Sequence, residues 1–322
     1  MVYRIFGRKK SGKTEYIYAA MQKHIENGKK CFLIVPEQQT LQTERELLKR
    51  FGNSVNLNVE TVSFTRLCNR VFRETGGLSQ KYIDDAGRLL VMAETLLKLQ
   101  PSLREYKDCA ENAEFSKTVI NILDEFKKYN IENQKIEDTL KLLERNNDEK
   151  ILYNKLSDIF LIGSSYKNLL RKNFNDRGDD LDRLSLVLKD YDFFAGTEVF
   201  IDSFYGFTPQ ELKIILNILR QAENTYVTFL CEQNSKDAIF GRGISASSEI
   251  SGLCRKHGLE FCDETVNYIS AKPQLQYLEE NFRTENCIIA RNIQASGNNG
   301  DIRIISCKNA FSEANAAACI IS

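Results

Sequence analysis

Gly7-Arg8-Lys9-Lys10-Ser11-Gly12-Lys13-Thr14 carries glycine, lysine and hydroxyl residues at the spacing G-x-x-x-x-G-K-S/T. Residues of these types at this spacing bind phosphate. The two glycines let the backbone curl so that successive N–H groups face one anion. The Lys13 ammonium adds a point charge to the β- and γ-phosphates, and the Thr14 hydroxyl is placed to ligate Mg²⁺. Gly7, Arg8, Ser11, Gly12, Lys13 and Thr14 are therefore the candidate nucleotide-binding residues, with ATP and Mg²⁺ the expected ligands. A Gly/Lys-rich surface turn is the plainer alternative. The short apolar run Val2-Tyr3-Arg4-Ile5-Phe6 before the loop and the helical stretch from Glu15 to Asn27, closed by Gly28, favour the phosphate loop.

A phosphate loop needs an acidic partner at the end of another strand to hold the metal, and a neighbouring carboxylate to orient an attacking water. Asp202, closing Val199-Phe200-Ile201, suits the metal side; its other reading is a cap for the next turn. The residue that follows is Ser203. A hydroxyl is neither a strong base nor a full charge, so nucleotide binding is expected to survive while hydrolysis is crippled, by about 10²–10⁴-fold for a lost acid–base group.

These residues require an α/β frame. Cys31-Phe32-Leu33-Ile34-Val35 is an unbroken apolar run of the kind buried on both faces of a parallel sheet, and Pro36 ends it. A helix is expected from Glu37 to Leu48, a strand over Leu57–Val62, and a helix from Ser63 to about Gly76-Gly77. Between 78 and 189 strand signals give way to helical periodicity, as in Val119-Ile122-Leu123-Phe126 and Leu152-Leu156-Ile159-Phe160. Asp84-Asp85 suits the start of the helix carrying Leu89 to Leu99. Alternation then resumes: a strand at Glu198–Asp202, a helix begun by Thr208-Pro209, a strand at Thr225–Leu230, a polar stretch from Gln233 to Ser248 read as a mobile loop, a strand at Asp301–Ser306 and a helix from Phe311. The spacing predicts a nucleotide-binding α/β domain over 1–77 and 190–322, with an inserted helical subdomain over 78–189. The last helix meets no cap, Gly or Pro before Ser322, as expected of a piece of a longer protein.

Composition narrows the classes. At 322 residues, with Lys+Arg and Asp+Glu equal at 44 each, no overall field draws the chain to nucleic acid or an anionic membrane. Basic residues are nonetheless concentrated near the amino terminus, among them Arg4, Arg8, Lys9, Lys10 and Lys13. The nine cysteines form no C-x-x-C pair, and Cys31 and Cys231 lie in apolar runs, as expected of reduced thiols in a cytoplasmic protein. No apolar run is long enough to span a membrane.

Five ordered segments resemble the amino-terminal region of the AddB (RexB) family, the helicase-like nuclease subunits of AddAB complexes. They are Gly7-Arg8-x-x-Ser11-Gly12-Lys13-Thr14; Val35-Pro36-Glu37-Gln38-x-Thr40; Val62-Ser63-Phe64-Thr65-Arg66-Leu67; Asp202-x-Phe204-Tyr205-x-Phe207-Thr208-Pro209-Gln210-Glu211; and the strand followed by Glu313. The resemblance implies a RecA-like P-loop NTPase domain of superfamily-1 helicase type with an inserted helical subdomain. Where that superfamily reads Asp-Glu-x-Gln-Asp, this chain reads Asp202-Ser203-Phe204-Tyr205-Gly206, which puts motor activity in doubt. It further implies a partner subunit, AddA, double-stranded DNA as the complex's substrate, and scanning of single-stranded DNA for the Chi sequence during recombinational repair. Gln38, Gln39, Thr40, Phe64, Arg66, Arg70, Phe204 and Phe207 then become the candidate DNA-binding residues: aromatic faces stack bases, while Gln and Arg hold base edges or phosphates. Core packing is the competing role for the phenylalanines, and helix capping for Gln38 and Thr40. The family's nuclease site and iron–sulfur cysteines match no segment here. An active superfamily-1 ATPase or helicase and a small-molecule P-loop kinase are the alternatives.

Overall fold

The computed structural model describes residues 1–52, 58–78, 81–145, 149–266, 274–275, 277–278, 302 and 305–321, the side chains of 171–173 excepted. The chain opens with β1 (Val2–Gly7), α1 (Lys13–Glu26), β2 (Lys30–Ile34), α2 (Thr40–Phe51), β3 (Val59–Val62) and α3 (Phe64–Thr75). A helical stretch follows, with α4 (Asp85–Leu99), α5 (Ala113–Lys128), α6 (Asn133–Glu144), α7 (Lys150–Asn173) and α8 (Asp180–Asp190). Then come β4 (Thr197–Ile201), α9 (Pro209–Gln221), β5 (Asn224–Leu230), α10 (Gly241–His257), β6 (Phe261–Thr265) and α11 (Ala310–Ile321). Residues 1–266 form one compact unit and 267–322 a second.

In the first unit six parallel strands make one sheet in the order β3-β2-β4-β5-β1-β6. Both faces are covered, which is why the central strands read as continuous apolar runs. Because side chains alternate along a strand, each one feeds two cores. Ile5, Leu33, Phe200 and Tyr226 pack with Ile17, Tyr18 and Met21 of α1 and Leu47 of α2. Phe6, Ile34, Val199, Ile201, Val227 and Phe229 pack on the opposite face with α3, α8, α9 and α10. This is the RecA-like α/β architecture that the resemblance implies.

The helical stretch has a core of its own, built from Ile83, Met92, Leu96, Val119, Ile120, Ile159, Ile162, Tyr166 and Leu170. Asp158, 2% exposed, fixes the turn after α4 by accepting the backbone N–H groups of Arg104, Glu105 and Tyr106 at 2.8–3.1 Å. On α7 the buried stripe is Ile159-Ile162-Tyr166-Leu170, with Leu152 exposed, so the stripe read from the sequence starts too early. Leu184 and Leu188 of α8 enter the sheet core, although the sequence places this helix in the inserted segment. Helix starts follow the sequence closely. Asp84 accepts from Gly87 N at 2.8 Å, and Thr208 forms a capping box with Glu211 behind Pro209.

Another expectation is overturned. The stretch from Gln233 to Ser248 is not a loop throughout, because α10 begins at Gly241. Its polar composition hides a packing face of small residues, Gly243, Ala246, Ser247, Ser251 and Cys254, around Ile250. A Cβ on Gly243 would lie 2.5 Å from Leu230 O, so the helix can rest on β5 only if that residue is glycine. Strand β6 has no clear sequence signal, and it is pinned by a buried arginine. Arg4 on β1 holds Asp263 through two nitrogens at 2.8 Å, donates to Ser247 O at 3.1 Å and covers the Phe261 ring at 4.5 Å.

The strand expected at 301–306 and the start of the one expected at Leu57 fall largely outside the described residues. In the second unit α11 begins behind Asn309, whose side chain accepts from Ser312 N at 2.9 Å, and carries Glu313 in its first turn. Among the described residues no helix is long and apolar enough to cross a membrane.

Candidate nucleotide-binding site

Strand β1 ends at Gly7, whose N–H donates to Cys231 O at 2.9 Å and so ties the loop to the end of β5. A Cβ at Gly7 would lie 2.2 Å from Ser11 Oγ and 2.7 Å from Val266 O, so only glycine lets the loop close this tightly. Gly12 stands at φ +92° and precedes α1 with no side chain capping it. A left-handed residue here suits glycine, and the uncapped first turn leaves backbone N–H groups to face an anion. Ser11 is buried, and its Oγ has no hydrogen-bond partner. A buried orphan hydroxyl beside such a turn is what a polar ligand would satisfy.

Lys13 Nζ donates to Gly7 O and Arg8 O, both at 2.7 Å. Burial holds its pKa below the usual lysine value, while Asp202 and the Cys231 thiol act in the opposite direction. The ammonium therefore sits in a place that disfavours its charge, and a bound anion would offset that cost. Arg8, at the loop's outer edge, donates to Glu232 Oε1 at 2.7 Å and faces the Phe240 ring at 5.9 Å.

Opposite the loop stands Asp202. It follows β4, its N–H donates to Ile34 O at 3.0 Å, and it is 5% exposed. Alternation from Phe200 turns its side chain toward α1. There Thr14 Oγ1 donates to Asp202 Oδ2 at 2.9 Å, and Thr228 Oγ1 of β5 donates to Oδ1 at 2.5 Å. Ser203 follows at φ +67°, a left-handed conformation that a non-glycine residue rarely holds.

This donor set fits Mg²⁺ bound together with phosphate: a hydroxyl and a carboxylate side by side, with no protein cage. Mg²⁺ is commonly held by one or two carboxylates plus substrate phosphates and water. Among the described residues no group of three or more His, Cys, Asp or Glu could hold a metal alone.

The structure separates the candidate DNA residues. Gln38 is exposed and Gln39 half-buried, in a short 3₁₀ turn after Pro36. Thr40 is 1% exposed and donates to Glu37 O at 2.9 Å, so it serves the turn rather than a surface. Phe64 is likewise enclosed, 5% exposed with its ring 5.5 Å from that of Phe204. Arg66 is exposed but ion-paired to Glu37 and Glu44. Arg70 pairs with Glu60 and Glu74 and lies over the Phe193 ring. Phe204 and Phe207 are half-buried, 5.4 Å apart. The aromatic most open to solvent in this loop is Tyr205, 54% exposed, which its residue type and spacing alone do not single out.

Comparison with known proteins shows the family of the chain. A family model described as "ADDB, N-terminal" matches residues 4–279. The chain belongs to the AddB family. Its relatives, named as B subunits of an ATP-dependent helicase/deoxyribonuclease, include one from Clostridium tetani, 35% identical over 70% of this chain and 20% of the relative. Another, from Ruminiclostridium cellulolyticum, is 30% identical over 86% and 25%. A third, from Acetivibrio thermocellus, is 29% identical over 98% and 28%. The chain therefore spans about a quarter of the length of these curated AddB relatives.

Proposed function

We propose that this region is the nucleotide-binding, DNA-scanning part of an AddB-type protein, with little motor activity of its own. The observation that carries the proposal is the contact between Thr14 and Asp202, 2.9 Å apart, beside an uncapped helix start and an orphan serine hydroxyl. Gly7, Arg8, Ser11, Gly12 and Lys13 would hold the phosphates of ATP, and Thr14 and Asp202 would hold Mg²⁺, which neutralises phosphate charge when bound. Lys13 would leave the loop carbonyls for the phosphates. The position after Asp202 offers Ser203, which supplies no base to orient water.

Single-stranded DNA would cross the neighbouring loops, meeting Gln38, Gln39 and Tyr205, with Phe204 and Phe207 behind them. Arg66 and Arg70 would exchange carboxylate partners for phosphates. The whole protein would act on double-stranded DNA in the cytoplasm together with a partner of AddA type, in keeping with relatives named as one subunit of a larger enzyme. Its part in recombinational repair belongs to the same proposal.

Hydrolysis assays with Mg·ATP and single-stranded DNA test this reading. We expect saturable binding with turnover far below the roughly 1–10³ s⁻¹ of ordinary enzymes. Turnover within that range would favour an active ATPase or helicase instead.

A further inference from the structure

We infer that Thr228, in the middle of β5, is the positioning residue that aims Asp202 at the metal; this rests on the nucleotide-binding reading above. In the sheet order β5 lies between β4, which carries Asp202, and β1, which carries the phosphate loop. Parallel register sets Ile201 beside Val227 and Ile5 beside Thr228. Alternation then turns Thr228 to the same face as Tyr226, Phe200 and Asp202, the face covered by α1. The core on that face is built from apolar and aromatic side chains such as Ile5, Leu33 and Ile17, and its buried charge, Glu198, is paired with His24. A hydroxyl at 4% exposure among them calls for a reason.

The geometry supplies one. Asp202 has two carboxylate oxygens, and each accepts from one hydroxyl. Thr228 takes Oδ1 at 2.5 Å inside the sheet, and Thr14 takes Oδ2 at 2.9 Å at the loop. The Thr228 bond lies wholly within the protein, away from where phosphate would sit, so it can persist when Mg²⁺ draws Thr14 and Oδ2 to itself. It fixes rotation about the Asp202 side chain and keeps the charged oxygen turned to the loop. A second partner that orients a metal ligand is worth about 10–100-fold in metal affinity.

The test compares the chain with Thr228→Val, which keeps shape and removes the donor, and Thr228→Ser, which keeps the donor and removes a methyl. Equilibrium binding of a fluorescent ATP analogue is titrated with Mg²⁺ and again in a chelator. Thr228→Val should need about 10–100-fold more Mg²⁺ for half-effect while its chelator affinity matches the parent, and Thr228→Ser should restore the parental Mg²⁺ requirement. Thr228→Ala reads the same quantity should the valine variant fail to fold, and it should show the same loss. Parental Mg²⁺ dependence in Thr228→Val or Thr228→Ala would overturn the role of Thr228 alone. A parent chain that binds no nucleotide would instead sink the reading beneath it, and this inference with it.

Discussion

Single residues divide between those whose type announces their chemistry and those whose surroundings decide it. The candidate phosphate loop belongs to the first class, because its motif asks for Gly7, Gly12, Lys13 and Thr14 at fixed spacing and the structure sets Thr14 beside Asp202. Phe64 belongs to the second. A phenylalanine after a strand can stack a base or fill a core, and only packing shows that Phe64 is enclosed against Phe204 while Tyr205 projects into solvent. The two should therefore respond differently. Phe64→Ala is expected to lower stability by about 3–5 kcal/mol in a denaturant titration, as emptied aromatic core sites do. Tyr205→Ala should leave stability near the parent's and weaken single-strand binding by about tenfold in fluorescence anisotropy with the assembled complex, the worth of a stacked base. A stable Phe64→Ala with weak DNA binding would reverse these assignments. Thr228 gave no sequence signal either, since threonine is ordinary in a strand and its meaning comes from register alone.

At the scale of elements, five of the strands were legible: β1, β2, β4 and β5 from their mostly apolar runs, and the half-buried β3 from its place after α2. Edge strand β6 was missed because Phe261-Cys262-Asp263-Glu264-Thr265 is mostly polar, and its pairing depends on Arg4, which is remote in sequence. Helix α10 was missed for a related reason. It packs through small residues, which hydropathy does not score as a buried face, and closeness to β5 replaces bulk. Gly243→Ala tests this packing. Its new Cβ would meet the Leu230 carbonyl at 2.5 Å, so backbone must move, and stability should fall by about 1–3 kcal/mol. On an exposed helix face the same change is stabilising by about 0.5–1 kcal/mol, so a rise in melting temperature would contradict the contact.

At the scale of the molecule, the sheet works as a bracket. Strand β1 delivers the loop, β4 the carboxylate, and β5 between them reaches the loop through Cys231 O and the carboxylate through Thr228. The core of the helical stretch is built from other residues than the two cores of the sheet. The frame of the candidate site was readable from sequence because a phosphate-loop motif calls for both a preceding strand and a following helix, and β1 and α1 stand there. How the helices share their burial was not, because a stripe such as that of α7 slides by a turn without breaking its period.

The most direct test of the nucleotide cradle is calorimetric titration of Mg·ATP into the parent chain and Lys13→Ala, with thermal melting of both. Burial lowers the Lys13 pKa, so its charge is disfavoured in the folded state at every pH below the ordinary lysine value of 10.5. Removing it relieves that cost but also takes two hydrogen bonds from the loop carbonyls, so the melting temperature should change little, while the loss of charged hydrogen bonds weakens Mg·ATP binding by roughly 10–100-fold. Equal binding by the two proteins, or no binding by the parent, would contradict the account.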